Sequence, residues 1–408
     1  MHTLGRLPNI TAIIFDTRFC APVDVIQRCL ALTHITSITF TERANTFTAF
    51  EPPSALNAIS DAPAPLTSFS YIMPLWREQL FRVARLRTDE PFKCEEKWLS
   101  ALIPGMASTV KQLTVPMETS PMLAMTALTW PELQELSIRG RYIDEEQKHA
   151  LRQFLSSIPQ LCKLSVTLCR RGRTARPSLL GSKTTSNATI AGLRSLTVAY
   201  PDPDDNIFSI DATHLLHLSL CDAPRFYHDR NQDEAIWSEF AIPILSPAEC
   251  LSILRRMDMP ELCSLELVYL ADSAGADDEL LTYVTQTFPH LSHLELHRYR
   301  ANMEEVVDYV HIAELLTATR DLRSIRLNLD FHDDHGPYSG CDESVALEWR
   351  SKFREHRGPE IVAILEACPW LEYVELLYHA RWSSRWTKFP TSRYPGPRFI
   401  DPDDGSTR

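Results

Sequence analysis

A six-residue pattern of hydrophobic positions recurs along this chain. Its clearest copy follows Phe288 and Pro289 and has Leu291, Leu294 and Leu296 separated by polar residues. Seven other copies begin at Leu133, Leu161, Leu193, Leu215, Leu262, Leu322 and Leu371. Four weaker copies begin at Ile10, Ile35, Leu66 and Val110. Alternation of hydrophobic and polar side chains indicates a strand with one buried face, so each copy predicts one short strand.

The spacing of these copies predicts the architecture. Successive copies are 22 to 49 residues apart, which is longer and less regular than usual leucine-rich repeats. Between them, residues 277–288, 304–318 and 358–368 show helical periodicity, and Ser246 to Glu249 form a capping box with Pro247 at the first helical position. We therefore predict an α/β, leucine-rich-repeat-like solenoid: a horseshoe with a parallel sheet on its concave face, helices outside and irregular repeats.

The copies also predict the domain organisation. They extend over residues 1–379, which we expect to form a single array of about twelve units. Residues 169–192 are rich in Ser, Thr and Arg and lack apolar periodicity, so we expect a mobile basic insertion there. Residues 380–408 follow the last copy and are expected to form a C-terminal cap and tail.

Composition narrows the cellular context. The chain is 44% hydrophobic and 23% charged, and none of its apolar runs approaches the ~20 residues of a membrane helix, so we expect no membrane partner. Its ten cysteines include no C-x-x-C pair, and its start shows no signal-peptide pattern, which favours a cytoplasmic or nuclear protein. Residues 1–200 carry a net charge of +6 and the rest −18, which indicates that different surfaces face different partners.

The repeat segments carry a family resemblance. "MPELCSLELVYLADSAGADDELL", "FPHLSHLELHRYR", "LRSIRLNLDFHDDHG" and "CPWLEYVELLYH" resemble the leucine-rich-repeat region of F-box proteins of mushroom-forming fungi over roughly residues 100–380. The resemblance implies a substrate-recognition role in a ubiquitin ligase. In that family an N-terminal F-box bundle binds a Skp-type adaptor. The F-box is absent from this sequence, so we expect no adaptor binding by the chain as given.

The exposed positions of the repeats predict a binding surface. His293, Glu295 and His297 flank the second leucine of their copy and point to one sheet face. Neighbouring copies place Glu266, Glu295, Arg326 and Glu375 in a row, with Arg326 between two carboxylates. The predicted partner-binding residues are Glu266, His293, Glu295, His297, Arg326, Tyr338, Tyr373 and Glu375.

The same histidines and acids allow an enzymatic alternative. His293, Glu295 and His297 are suitable metal donors, and His332, Asp333, Asp334 and His335 form a second cluster. A metal-dependent enzyme would require the clusters at 290–297 and 332–335 to converge. Alternate residues on one strand lie 6.6–6.8 Å apart, which makes a single ion awkward for three of them. Established catalytic motifs such as G-x-S-x-G are also missing from the sequence. We therefore expect no catalytic residue, cofactor or metal.

The charge distribution bears on whether the partner is a nucleic acid or a protein. The basic run at 169–183 could contact nucleic acid, although such a surface would also need base-reading side chains, so we expect no nucleic-acid partner. In the acidic half, the loops at 221–237, 270–278 and 330–344 combine acids with aromatics, as an interaction rim does. The sequence thus predicts a protein-interaction module whose partner has a basic surface.

Overall fold

The computed structural model describes thirteen parts of the chain. These are residues 9–16, 23–41, 65–72, 89–141, 145–169, 176, 178–181, 190, 192–223, 244–302, 304–334, 343–380 and 383–394. The chain divides into two compact units, Met1–Ala212 and Thr213–Arg408. Each unit is an α/β structure on an open, mostly parallel sheet, which confirms the predicted α/β class.

The sheet of the first unit has seven parallel strands in chain order. They are β1 (Ala12–Phe15), β2 (Ser37–Phe40), β3 (Ser68–Tyr71), β4 (Gln112–Pro116), β5 (Glu135–Arg141), β6 (Lys163–Cys169) and β7 (Ser195–Ala199). The helices are α1 (Val23–Leu30), α2 (Asp89–Met106), α3 (Met122–Thr126) and α4 (Glu145–Ser156), with a 3₁₀ turn at Asn206–Ser209.

The sheet of the second unit ends differently. Its parallel strands are β8 (His217–Cys221), β9 (Ser264–Ala271), β10 (His293–Arg300), β11 (Ser324–Asn328) and β12 (Tyr373–Ala380). The last strand, β13 (Ser383–Pro390), pairs antiparallel with β12. Its helices are α5 (Pro247–Arg256), α6 (Ala274–Thr287), α7 (Tyr309–Leu316) and α8 (Glu343–Ser351), which continues through the π-helical Lys352–Arg357 into α9 (Gly358–Leu365). Over the described residues, no helix is long and apolar enough to cross a membrane.

All twelve predicted strands are confirmed. Each strand from β1 to β12 begins two residues after the first residue of its hydrophobic copy. The buried positions then align from strand to strand, so that Leu265, Leu294, Ile325 and Val374 are successive register partners. All four are at most 2% exposed. The spacing of the hydrophobic residues therefore indicates which side of the sheet packs against the helices.

The helices predicted between the copies are also present. The α5 helix begins with the predicted capping box, in which the Ser246 side chain accepts from the Glu249 backbone N–H and the Glu249 carboxylate accepts from the Ser246 N–H. The α9 helix lies in the predicted segment 358–368, and α6 begins three residues before the predicted segment 277–288. The α7 helix is shorter than the predicted 304–318. Asp308 caps α7 by accepting from the backbone N–H of His311.

The predicted insertion at 169–192 lies largely outside the described residues. Its described part includes Ser178–Gly181, which is buried. The carboxylate of Asp205 accepts hydrogen bonds from the backbone N–H groups of Leu179 and Leu180, and the Arg152 Nε donates to the Leu179 carbonyl at 3.1 Å. Burial raises the pKa of Asp205, and the hydrogen bonds from Leu179, Ile207 and Leu180 partly offset that rise. These four residues are therefore fixed to the first unit.

Candidate functional site

A polar row crosses the sheet of the second unit at one level. Strand register places Glu295 of β10 opposite Glu266 of β9 and Arg326 of β11, and Arg326 opposite Glu375 of β12. The predicted row is therefore confirmed. The pairing extends it at both ends, and we call the following residues the polar row: Ser219, Glu266, Glu295, Arg326, Glu375 and Lys388.

Hydrogen bonds join several members of this row. The Arg326 Nε donates to Glu375 Oε2 at 2.5 Å, and its Nη1 donates to Glu295 Oε2 at 3.3 Å. Burial opposes the charge on Arg326, but the hydrogen bonds and negative charges of Glu375 and Glu295 outweigh it and raise the pKa of Arg326. At the β8 end, the Ser219 hydroxyl donates to Glu266 Oε2 at 2.5 Å. Arg326 thus bridges two carboxylates at the centre of the row, and Ser219 is hydrogen-bonded to Glu266 at the β8 end.

The first unit carries different chemistry at the same position of its repeats. The fifth residue of successive copies there is Thr39, Ser70, Thr114, Ser137, Ser165 and Thr197, and these residues are register neighbours on β2 to β7. This hydroxyl row was not predicted, although the fifth position of six copies in the first unit contained the signal. The charged side chains of this sheet level are therefore concentrated in the second unit.

The strand β13 brings an aromatic ring over the polar row. Trp386 on β13 lies opposite Leu377 of β12. Its ring centroid is 5.4 Å from the guanidinium carbon of Arg326 and 5.4 Å from the ring centroid of His297. A cation over an indole face is attracted by the ring, so Trp386 both covers and binds the central arginine.

His297 is buried, so the expectation that it is exposed on the sheet face is wrong. It shares the sheet face of Glu295 but is only 1% exposed. Its Nε2 lies 2.9 Å from Glu295 Oε1, and its Nδ1 lies 3.5 Å from the Asn328 amide nitrogen. The neighbouring residues at this level, Val268, Asn328 and Leu377, are buried as well. Trp386 covers His297 because β13 folds back beside β12, and the repeat pattern contains no signal for that strand.

The other predicted site residues have separate environments. His293 is exposed, and its Nδ1 lies 2.7 Å from the Ser324 hydroxyl. Tyr373 is half-buried, with the Lys388 ammonium 3.5 Å from its ring centroid. Tyr338 and most of the predicted rim at 221–237 and 330–344 lie outside the described residues. The structure therefore brings together five of the eight predicted residues: Glu266, Glu295, His297, Arg326 and Glu375.

Over the part of the chain that the structure describes, no group of possible metal donors combines residues of the two predicted His/Asp clusters. Asp333 instead pairs with Arg357 Nη1 at 2.5 Å and with Lys352 Nζ at 2.6 Å, and Asp334 lies 3.8 Å from His379 Nε2. Burial would raise the pKa of Asp333, but the hydrogen bonds from Arg357 and Lys352 lower it to about 2. The second cluster thus fastens the segment after β11 to the helices, and His335 lies outside the described residues.

A buried ionic cluster on the helix side of the sheet was missed. The Arg298 Nε donates to Asp277 Oδ2 at 2.6 Å, and the Tyr269 hydroxyl donates to Asp277 Oδ1 at 2.6 Å. Burial and the negative charge of Asp277 raise the pKa of Tyr269 well above its ordinary value. The hydrophobic copies end at their sixth residue, whereas β10 continues for four more residues, so the alternation turns Arg298 and Arg300 inward. This cluster is a packing feature that joins α6 to β9 and β10.

Comparison with known proteins adds no family assignment. No protein family matches the chain, and no curated protein has a significantly similar sequence.

Proposed function

We propose that this protein is a protein-interaction module, similar to the substrate-recognition part of the F-box receptors that its repeats resemble. The observation that carries the proposal is the polar row, with Trp386 beside it, on the sheet face of the second unit. The strand positions and the parallel order within each unit support a leucine-rich-repeat horseshoe, which we include in the proposal. A repeat array of this kind presents one side chain per strand at a fixed spacing, which suits it to contact an extended partner.

The chemistry of the row favours a partner with a basic surface. Three of its six residues are glutamates, and the half of the chain that contains it has a net charge of −18. Arg326 already neutralises part of Glu295 and Glu375, so Glu266 and Glu295 form the more acidic end of the row. Complementary charge increases the rate at which the two partners meet. This rate enhancement decreases as salt is added, because ions screen charges over about 8–10 Å.

We expect the aromatic side chains to contribute more binding free energy than the acidic side chains. An exposed ion pair contributes roughly 0–1 kcal/mol, whereas truncation of an aromatic anchor at an interface costs about 2 kcal/mol or more. Trp386 and Tyr373 are both half-buried and lie beside cations of the row. They therefore offer partly exposed rings held in fixed orientations.

The proposal can be tested with peptides of defined chemistry. An array of extended Lys/Arg-rich, neutral and Asp/Glu-rich peptides would be incubated with the full chain at about 50 and 200 mM salt. We expect selective, salt-sensitive binding of basic aromatic-containing peptides, and loss of that binding in Trp386→Ala. The matched control is Trp370→Ala, because Trp370 is 57% exposed in the turn before β12 and outside the row. Equal binding of all three peptide classes, or equal loss in both variants, would contradict the proposal.

A further inference from the structure

Three potential metal donors meet at the acidic end of the polar row. Glu266 and Glu295 are direct register partners on β9 and β10, and His297 lies two residues beyond Glu295 on the same sheet face. One donor atom from each of these side chains lies within 4.8 Å of the other two. Among the residues that the structure describes, this is the one such group of His, Cys, Asp and Glu side chains.

The arrangement avoids the geometric objection to a metal site formed by His293, Glu295 and His297. That objection concerned three residues along one strand, of which His293 and His297 are too far apart to share an ion. Here a cross-strand glutamate takes the place of His293. Donors around a tetrahedral zinc ion lie about 3.4 Å apart, given metal–ligand distances of about 2.0–2.1 Å. The His297 Nε2–Glu295 Oε1 distance is already 2.9 Å, so small rotations of the two glutamate side chains would bring the three donors to that spacing.

Packing and hydrogen bonds orient the imidazole of His297. The ring is 1% exposed and lies between Trp386, at 5.4 Å, and Tyr299, at 6.4 Å between centroids. Its Nε2 faces the carboxylate of Glu295, while the Asn328 side-chain amide lies at Nδ1. The Asn328 nitrogen is a hydrogen-bond donor, so this contact favours the tautomer with its proton on Nε2, where Glu295 accepts it. Metal binding through Nε2 therefore requires the proton to move to Nδ1 and the Asn328 amide to turn its oxygen towards it.

Neighbouring side chains also orient the two glutamates. Glu295 uses Oε2 to accept from Arg326, which leaves Oε1 directed at His297. Glu266 accepts from the Ser219 hydroxyl. Each of the three donors therefore has a neighbour that holds it in place, as the outer shell of a metal site does.

We propose that Glu266, Glu295 and His297 bind a divalent transition-metal ion, for which Zn²⁺ is the best match. One imidazole and two carboxylates suit a borderline ion such as Zn²⁺, whereas Mg²⁺ and Ca²⁺ prefer oxygen ligands alone. Three protein donors leave a fourth tetrahedral position for water or a group from a bound molecule.

The test is direct binding of Zn²⁺ to the 408-residue chain, measured by calorimetry in a reducing buffer. We expect one equivalent to bind with a dissociation constant below about 10 µM. The variant Glu266→Gln keeps an oxygen that can accept from Ser219 and removes one ligand charge, so it should weaken binding at least about tenfold. His297→Gln should do the same. In the wild type, Co²⁺ should give the visible absorption bands of a four-coordinate ion, which neither variant should reproduce.

The matched control is Glu375→Gln. Glu375 is a glutamate of the same row that hydrogen-bonds to Arg326 but lies outside the donor group. This variant should bind Zn²⁺ as the wild type does, and Zn²⁺ should raise the melting temperature of both proteins. Absence of Zn²⁺ binding by the wild type would overturn the proposal. So would equal binding by wild type and Glu266→Gln, since the ion would then bind elsewhere, for example at cysteine thiols.

Discussion

The indole ring of Trp386 lies 5.4 Å from the guanidinium carbon of Arg326, although β12 separates their two strands. The contact links the antiparallel end of the second sheet to the centre of the polar row. It makes the stability of β13 and the orientation of Arg326 depend on one another.

That dependence can be measured with a double-mutant cycle of Arg326→Gln and Trp386→Leu. The expected coupling free energy is about 0.5–1 kcal/mol, because a cation–π contact at a partly exposed site contributes about that much. Urea unfolding of the four proteins gives the value. A parallel cycle with Trp370→Leu should give additive effects within about 0.5 kcal/mol. Equal coupling in the two cycles would mean that Trp386 has no specific contact with Arg326.

Leu294→Asp tests the hydrophobic face of β10. The side chain is 2% exposed between Leu265 and Ile325, so an aspartate there would be buried without a partner. We expect a loss of about 3 kcal/mol or more in the free energy of unfolding, or failure to fold. His293→Asp is the control, because it introduces the same residue at the adjacent, exposed position. Urea unfolding followed by circular dichroism should show that this control changes the free energy of unfolding by less than about 1 kcal/mol.

Asp277→Asn tests the buried ionic cluster. Removal of this carboxylate leaves Arg298 buried beside a neutral group, and loss of one partner of a buried pair costs about 3–5 kcal/mol. The neighbouring Asp278→Asn removes a more exposed contact with His311 and should cost less than about 1 kcal/mol. Thermal unfolding of both variants would settle the comparison. Similar melting temperatures would show that the buried pair has little net effect.

The Asp333–Arg357 pair predicts a pH dependence at the acidic end. The pKa of Asp333 is lowered from 3.8 to about 2 in the folded protein, so its contribution is complete above about pH 4 and is lost as the pH falls towards 2. With allowance for solvent screening, we expect Asp333→Asn to cost about 1–2 kcal/mol at pH 7. The difference from wild type should shrink below pH 4. Asp321→Asn, in the exposed turn before β11, should change stability little at either pH.

The strands and the row could be predicted because both depend on local alternation. Leucines such as Leu294 indicate which face of the sheet is buried. The intervening residues, such as Glu295, must then lie on the other face. Parallel pairing in register carries this level from strand to strand, so Glu266, Arg326 and Glu375 follow from the same frame.

The burial of His297 could not be predicted in this way. It depends on Trp386, which reaches the row because β13 reverses direction after β12, and the hydrophobic copies contain no information about that reversal. The metal-donor group was missed for a related reason. It combines a cross-strand pair, Glu266 and Glu295, with a residue along one strand, so neither alternation nor sequence spacing alone reveals it.

The antiparallel strand β13 also has a consequence for self-association. A parallel sheet that ended at β12 would present a row of backbone N–H and C=O groups on which another chain could add a strand. β13 occupies that edge of β12 along eight residue pairs. It carries Arg385 and Lys388 and ends at Pro390, features that discourage strand addition at sheet edges. The strand that covers His297 thereby also protects the sheet against edge-to-edge aggregation.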